Sequence, residues 1–160
     1  MSKNVSFRQW GVGEQDLLLF LHTIRPPSRA EWDAVMSHLN TYAVSNDLRR
    51  LVVLAVSDGG GPDVMMRGQL MEFSKNHHHY FKTAAVSASR VIRGIAAAVS
   101  WFNPQIKAFA PDRLGAALAH LSLPQSAQPR ILRELEEMER ELEPSECLAL
   151  MRKTQPAAEV

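Results

Sequence analysis

The sequence predicts an α/β fold: a mixed, mostly parallel five-stranded sheet with an N-terminal hairpin and crossover helices, followed by a C-terminal helical extension. Three observations carry this. Residues 51–56 (LVVLAV) form an unbroken aliphatic run, the mark of a strand buried on both faces. From residue 28 to residue 121, helical apolar spacing alternates with short strand-like runs, which requires crossover connections and hence parallel pairing. Beyond a proline-containing stretch, residues 123–129 (LPQSAQP), apolar residues recur every three or four positions in a glutamate-rich background. At 160 residues the chain has room for one domain (1–122), a linker (123–129) and a helical appendage (130–160).

The elements follow in order. Val5 to Trp10 and Asp16 to His22 read as strands, joined by GVGEQ, whose glycines and polar residues suit a hairpin. Ser28 is placed to cap the next helix, with Glu31 three residues later as in a capping box, and the prolines just upstream exclude an earlier start. Trp32, Val35, Met36, Leu39 and Tyr42 continue at helical spacing. After the central strand, Asp63 is a cap for a second helix whose apolar positions are Val64, Met65, Leu70, Met71 and Phe73. Lys82 to Ser87 is a short strand, and Ser89 to Phe102 a helix bounded by Asn103-Pro104. Gln105 to Ala110 is the last strand, and Pro111-Asp112 opens a helix running to about Leu121. In the extension, Ile131, Leu135, Met138 and Leu142 make a narrow heptad-like seam, with Glu136 and Arg140 at favourable i,i+4 spacing. Pro144 ends that helix, and Ser145 to Lys153 form one more.

Composition narrows the function classes. With 46% apolar and 22% charged residues the chain is of ordinary globular type. Its net charge of +1 divides into +4 over residues 1–127 and −3 over 128–160, without the dense basic stripe of a nucleic-acid binder. The longest apolar runs fall far short of the roughly 20 residues that span a bilayer, and the N-terminus lacks a signal-like apolar core. Cys147, the single cysteine, forms no internal disulfide. The expectation is a cytoplasmic protein that binds neither nucleic acid nor membrane.

Residues 80–121 (YFKTAAVSASRVIRGIAAAVSWFNPQIKAFAPDRLGAALAHL) give this pattern a family likeness. A short strand ending in a small residue leads to a helix with an aromatic end. A further strand finishes near F-x-[small/Pro]-D, and a helix of x-L-x-x-A-x-x-x-L type follows. This resembles the second half of STAS-like domains of the SpoIIAA-like group, the anti-sigma-factor-antagonist fold. The opening hairpin, the helix after PPS and the LVVLAVSDGGG strand and loop fit the first half, so the likeness covers about residues 5–122. It implies a non-catalytic bacterial signalling or scaffold module, with related folds binding lipids or nucleotides. In antagonist-type members the loop after the central strand carries an Asp-Ser-Ser-Gly-like motif whose serine is phosphorylated. Here that stretch reads GGPDVMM, with Asp63 at the Asp position and Val64 and Met65 where the serines would stand. Neither has a hydroxyl to phosphorylate.

The candidate sites are these. The glycine loop lacks the lysine and spacing of a phosphate cradle, and Asp58 and Asp63 flank it with negative charge. It reads as a flexible connection, and in this kind of fold as the place where partners bind. The expected partner-binding set is therefore Ser57, Asp58, Gly59, Gly60, Gly61, Asp63 and Met66, with Trp101 and Phe102 as aromatic anchors. Arg90 and Arg93, one turn apart, with Lys107 and Arg113 brought near by the fold, are either a solvated face or a patch for an anion or acidic partner. His77, His78 and His79 are consecutive, so their side chains diverge and no metal site is expected. The seam Ile131, Leu135, Met138 and Leu142 docks on its own domain or on a second copy in a homodimer. Cys147, placed in the extension and away from the sheet, reads as a small apolar residue.

No serine–histidine or metal–hydrolase signature is present, so no enzyme and no cofactor is expected. The leading expectation is a protein-interaction module whose partner is another signalling protein. The alternative is a small-molecule or lipid-binding domain with an apolar pocket lined by Met65, Met66, Trp101 and Phe102.

Overall fold

The computed structural model describes residues 3–78, 81–100 and 103–154. Five strands form one sheet in sequence order: β1 (Val5–Val12), β2 (Gln15–His22), β3 (Leu51–Ser57), β4 (Lys82–Ser87) and β5 (Ile106–Phe109). β1 and β2 pair antiparallel, and every later pair is parallel. The hairpin is longer than the sequence pattern suggests, because Gly13 takes a left-handed φ of 61° and lets the strands run to the turn. β2 is therefore hydrogen-bonded on both sides, and Leu17 to His22 are all buried.

The connecting helices are α1 (Arg29–Ser45), α2 (Val64–Asn76) and α3 (Arg90–Ser100). Because strand order advances one step at a time, right-handed crossovers seat all three on one face of the sheet. Alternation along the strands sends Leu18, Phe20, Leu51 and Val53 to that face, where they meet Trp32, Val35, Leu39 and Tyr42 of α1 and Phe73 of α2. Ser28 caps α1 in the expected capping box with Glu31. The Glu31 carboxylate also accepts the backbone N–H groups of Asn4 and Val5, at 2.9 and 3.0 Å, tying the start of β1 to the helix. Tyr42 donates to Asp16 at 2.7 Å, and Trp32 Nε1 donates to Gln69 at 2.7 Å, linking α1 to β2 and to α2.

The opposite face carries Leu17, Leu19, Leu21, Val52, Leu54, Val56, Ala84 and Val86. It is covered by α4 (Leu114–His120), α5 (Gln128–Glu139) and α6 (Glu146–Lys153). Ile131, Leu135 and Met138 of the seam have no exposed surface and lie in this cluster, while Leu142 packs at its margin. Each such fully buried aliphatic contributes about 1.5–3 kcal/mol of transfer free energy. Residues 123–129 hold a 3-10 turn, with Leu123 buried and the Gln125 amide donating to the Gly115 carbonyl at 2.9 Å.

Two expectations need correction. Cys147 does not lie away from the sheet: it is buried in the same cluster, with its thiol 3.6 Å from the Val86 carbonyl of β4. In α2 the inward positions are Met66, Leu70 and Phe73, spaced by four and three, whereas Val64, Met65 and Met71 face out. The α2 segment carries apolar residues on both sides, so spacing alone did not reveal which side was buried.

Candidate functional site

The parallel strands end together. His22, Ser57 and Ser87 occupy one register across β2, β3 and β4, and alternation points all three toward the α1–α3 face. All three are buried. The loops that leave these strands, and the first turns of α2 and α3, make up the rim where an open α/β sheet meets ligands and partners.

The glycine loop on this rim is hydrogen-bonded rather than loose. The Asp58 N–H donates to the His22 carbonyl at 3.2 Å, and the Gly60 N–H to the Thr23 carbonyl at 2.8 Å. Ser57 Oγ accepts the Gly59 N–H at 3.1 Å and donates to the Gly60 carbonyl. Gly60 is required by close approach: a Cβ there would strike the backbone carbonyls of Thr23 and Arg25. Gly59 has φ of 132°, a region that side chains avoid. Asp63 caps α2 through the Met66 N–H at 2.9 Å, and Met66 packs half-buried against the α1-side core.

Asp58 turns the other way. Its carboxylate accepts the Cys147 N–H at 2.8 Å and the Ser145 hydroxyl at 3.1 Å, while Ser145 Oγ accepts the Leu148 N–H at 3.1 Å. The acid flanking the glycine loop thus anchors the N-terminus of α6. Burial raises the Asp58 pKa above the ordinary carboxylate value, against the pull of these two donors. Burial and the neighbouring Asp58 carboxylate push the Cys147 thiol up to about 12.

His22 was not singled out by the sequence pattern, where it is merely the last residue of an apolar run. Its ring stacks on Phe20 with centroids 5.6 Å apart, and its Nδ1 is buried with no hydrogen-bond partner. Burial lowers its pKa to about 4, so the ring is neutral at physiological pH. The Ser87 hydroxyl accepts the Ser89 N–H at 3.1 Å, so among the described residues the hydrogen bonds of Ser57 and Ser87 go to backbone groups. The arrangement fixes a loop.

Above this polar row the rim mixes charged residues with exposed apolar ones. Ile24, Val64, Met65 and Val91 are between 66% and 76% exposed, one or two from each of the three segments that follow β2, β3 and β4. Arg90 and Arg93 stand on α3 beside them, exposed and half-buried. Lys107 does not join them: it shares a register with Ala84, whose side chain belongs to the opposite face. Arg113 precedes α4 on that same far side. Trp101, Phe102 and His79 lie outside the described residues. His77 and His78 close α2, where His78 takes a left-handed φ of 53°. Among the described residues, no group of three or more His, Cys, Asp or Glu side chains could hold a metal ion.

The comparisons with known proteins agree with this architecture. The family model described as SpoIIAA-like matches residues 15–122. The chain belongs to the SpoIIAA-like family. A solved structure, that of an uncharacterized DUF3478-family protein with a SpoIIAA-like fold from Shewanella loihica PV-4, superposes with a TM-score of 0.52 at 12% identity. The match covers 69% of this chain and 87% of that one, and it shows the shared fold. Among curated proteins none matches at a significant level. The SpoIIAA-like match ends at residue 122, so α5 and α6 lie beyond it. No helix among the described residues is long and apolar enough to cross a membrane.

Proposed function

We propose that this SpoIIAA-like protein is a non-catalytic interaction module of a bacterial signalling or scaffolding system, recognising another protein at the strand-end rim. One observation carries the reading: three consecutive strand-end segments hold exposed apolar side chains, Ile24, Val64, Met65 and Val91, on a loop framework that is itself hydrogen-bonded. Contiguous exposed apolar surface marks recognition sites, and topology brings these three segments to one end of the sheet. Val64 and Met65 form the first turn of α2 directly after the Asp63 cap, where antagonist-type members carry the phosphorylated serine. Binding here is accordingly not switched by phosphorylation at that turn. Asp58 is a structural anchor in this scheme and Met66 packs inward, so the contact set shifts to Ile24, Val64, Met65 and Val91.

The test is affinity capture with the wild-type protein and the double variant Val64→Asp/Met65→Asp. Loss of a defined partner, with an unchanged melting temperature, supports the proposal; an identical set of captured proteins refutes it.

A second reading has its own observation. Beneath α2 and α3 the sheet surface is a row of small residues, Ala55, Ala85 and Ala108, in one register across β3, β4 and β5, all half-buried. A floor of small side chains beneath α2 and α3 is the feature that favours an apolar ligand there. Native mass spectrometry separates the readings, since a stoichiometric bound small molecule favours the pocket.

A further inference from the structure

Topology seats α2 over β3 and β4 and α3 over β4 and β5, on the same face of the sheet, and both present apolar stripes outward. On α2, Val64, Gly68 and Met71 recur at four and three residues, all exposed. On α3 the outward stripe is Val91, Gly94, Ile95 and Ala98, while none of the described α3 side chains is fully buried. A helix normally turns such a stripe inward. The two glycines sharpen the point. Glycine in a helix interior weakens it, and open space lies where a Cβ would stand on Gly68 and on Gly94. Nothing among the described residues requires either glycine. What a bare backbone offers is close approach to something lying on the outside.

The charges on these helices indicate what that is. α2 and α3 carry Arg67, Lys75, Arg90 and Arg93 against a single acid, Glu72. Among the described residues none of these four cations is in an ion pair, and Arg67 donates only to the Pro62 carbonyl. A second copy of the same face would bring cation onto cation. We propose that the α2–α3 face receives an acidic amphipathic helix of a partner protein, its apolar stripe on the Gly68 and Gly94 backbones and its carboxylates against Arg90 and Arg93. This rests on the interaction reading above and names the chemistry of the partner.

The experiment displays a library of helical peptides with leucine fixed at one face and the polar positions randomised, and selects on the full-length protein. The expected result is enrichment of Asp and Glu at the polar positions. The selected peptide should lose about tenfold in affinity against Arg90→Glu/Arg93→Glu, as two reversed rim charges predict. Gly68→Ala should raise the melting temperature and yet weaken the same peptide several-fold, a pair of opposite signs that a purely structural glycine does not give. Selected peptides without acidic bias, or indifferent to the charge reversal, overturn the proposal while leaving the interaction reading intact. Failure to enrich any peptide overturns it too. So does self-association in sedimentation that Ile95→Glu abolishes, or binding to vesicles of 30% anionic lipid that Ile95→Glu abolishes with no peptide selected.

Discussion

Asp58 gives the sharpest test of how the C-terminal helices are held. In the native protein its carboxylate accepts two hydrogen bonds from the N-terminus of α6, from Cys147 N–H and from the Ser145 hydroxyl. Asp58→Ala removes the acceptor and leaves both donors in a part-buried site. Each donor left without a partner costs about 1–3 kcal/mol, and relief from burying a carboxylate of raised pKa offsets part of that. The net expectation is a loss of about 2–3 kcal/mol. Asp58→Asn keeps an acceptor oxygen in place and removes the charge, so it should fall within about 1 kcal/mol of wild type. Urea unfolding followed by far-ultraviolet circular dichroism measures both through the midpoint and the m-value. The pH dependence adds a sign. Because the folded-state pKa is raised, the contribution of Asp58 is fully present below its ordinary value of 3.8 and is lost as pH rises through the elevated one. Wild type should therefore gain stability relative to Asp58→Asn as pH falls. Equal stability of the alanine variant and wild type would refute the anchoring of α6 through this loop.

Four further outcomes are expected. His22 has a depressed pKa, so its contribution is present above 6.5 and is lost as pH falls toward about 4. His22→Leu should remove that dependence, a difference of about 3 kcal/mol across the interval in urea midpoints. Gly60→Ala should cost about 1–3 kcal/mol by forcing apart the loops after β2 and β3, and a melting temperature equal to wild type would contradict the close approach. Cys147 should resist a thiol reagent such as Ellman's at pH 8 in the native protein and react at once in denaturant, whereas native-state labelling would place it at the surface. A chain ending after Leu123 should expose the Leu17–Leu21 side of the sheet, aggregate and bind a hydrophobic dye, and a cooperative monomer would show that α5 and α6 are dispensable.

Features set by neighbouring residues were legible in the sequence. The Ser28–Glu31 capping box, the Asp63 cap and the short strand Lys82–Ser87 stand where the pattern puts them, because each depends on a few adjacent side chains. The mostly parallel sheet with its opening hairpin followed from the alternation of strands and helices, whereas the neighbour order β1 to β5 came from the structure. What escaped the sequence depends on contacts between distant segments. Asp58 looked like a free acid beside a flexible loop because its partners lie 87 and 89 positions away. The outward stripe of α3 could not be told from an inward one, since an isolated pattern has no inside. Lys107 seemed to stand near Arg93 until register put it on the other face of the sheet.

The sheet's second face has a kinetic consequence. Ser6 and Glu141 are hydrogen-bonded although 135 positions apart, and Ile131 and Leu135 rest on strands built from residues 17–21. Contacts of such long sequence separation form late, because the chain must first surrender the entropy of a very large loop. Before α5 and α6 dock, the leucine-rich sheet face lacks their cover. Refolding should be slow for a chain of this size and sensitive to protein concentration, with aggregation competing against helix docking. The segment beyond the family match should thus set the yield of folded protein as well as its final stability.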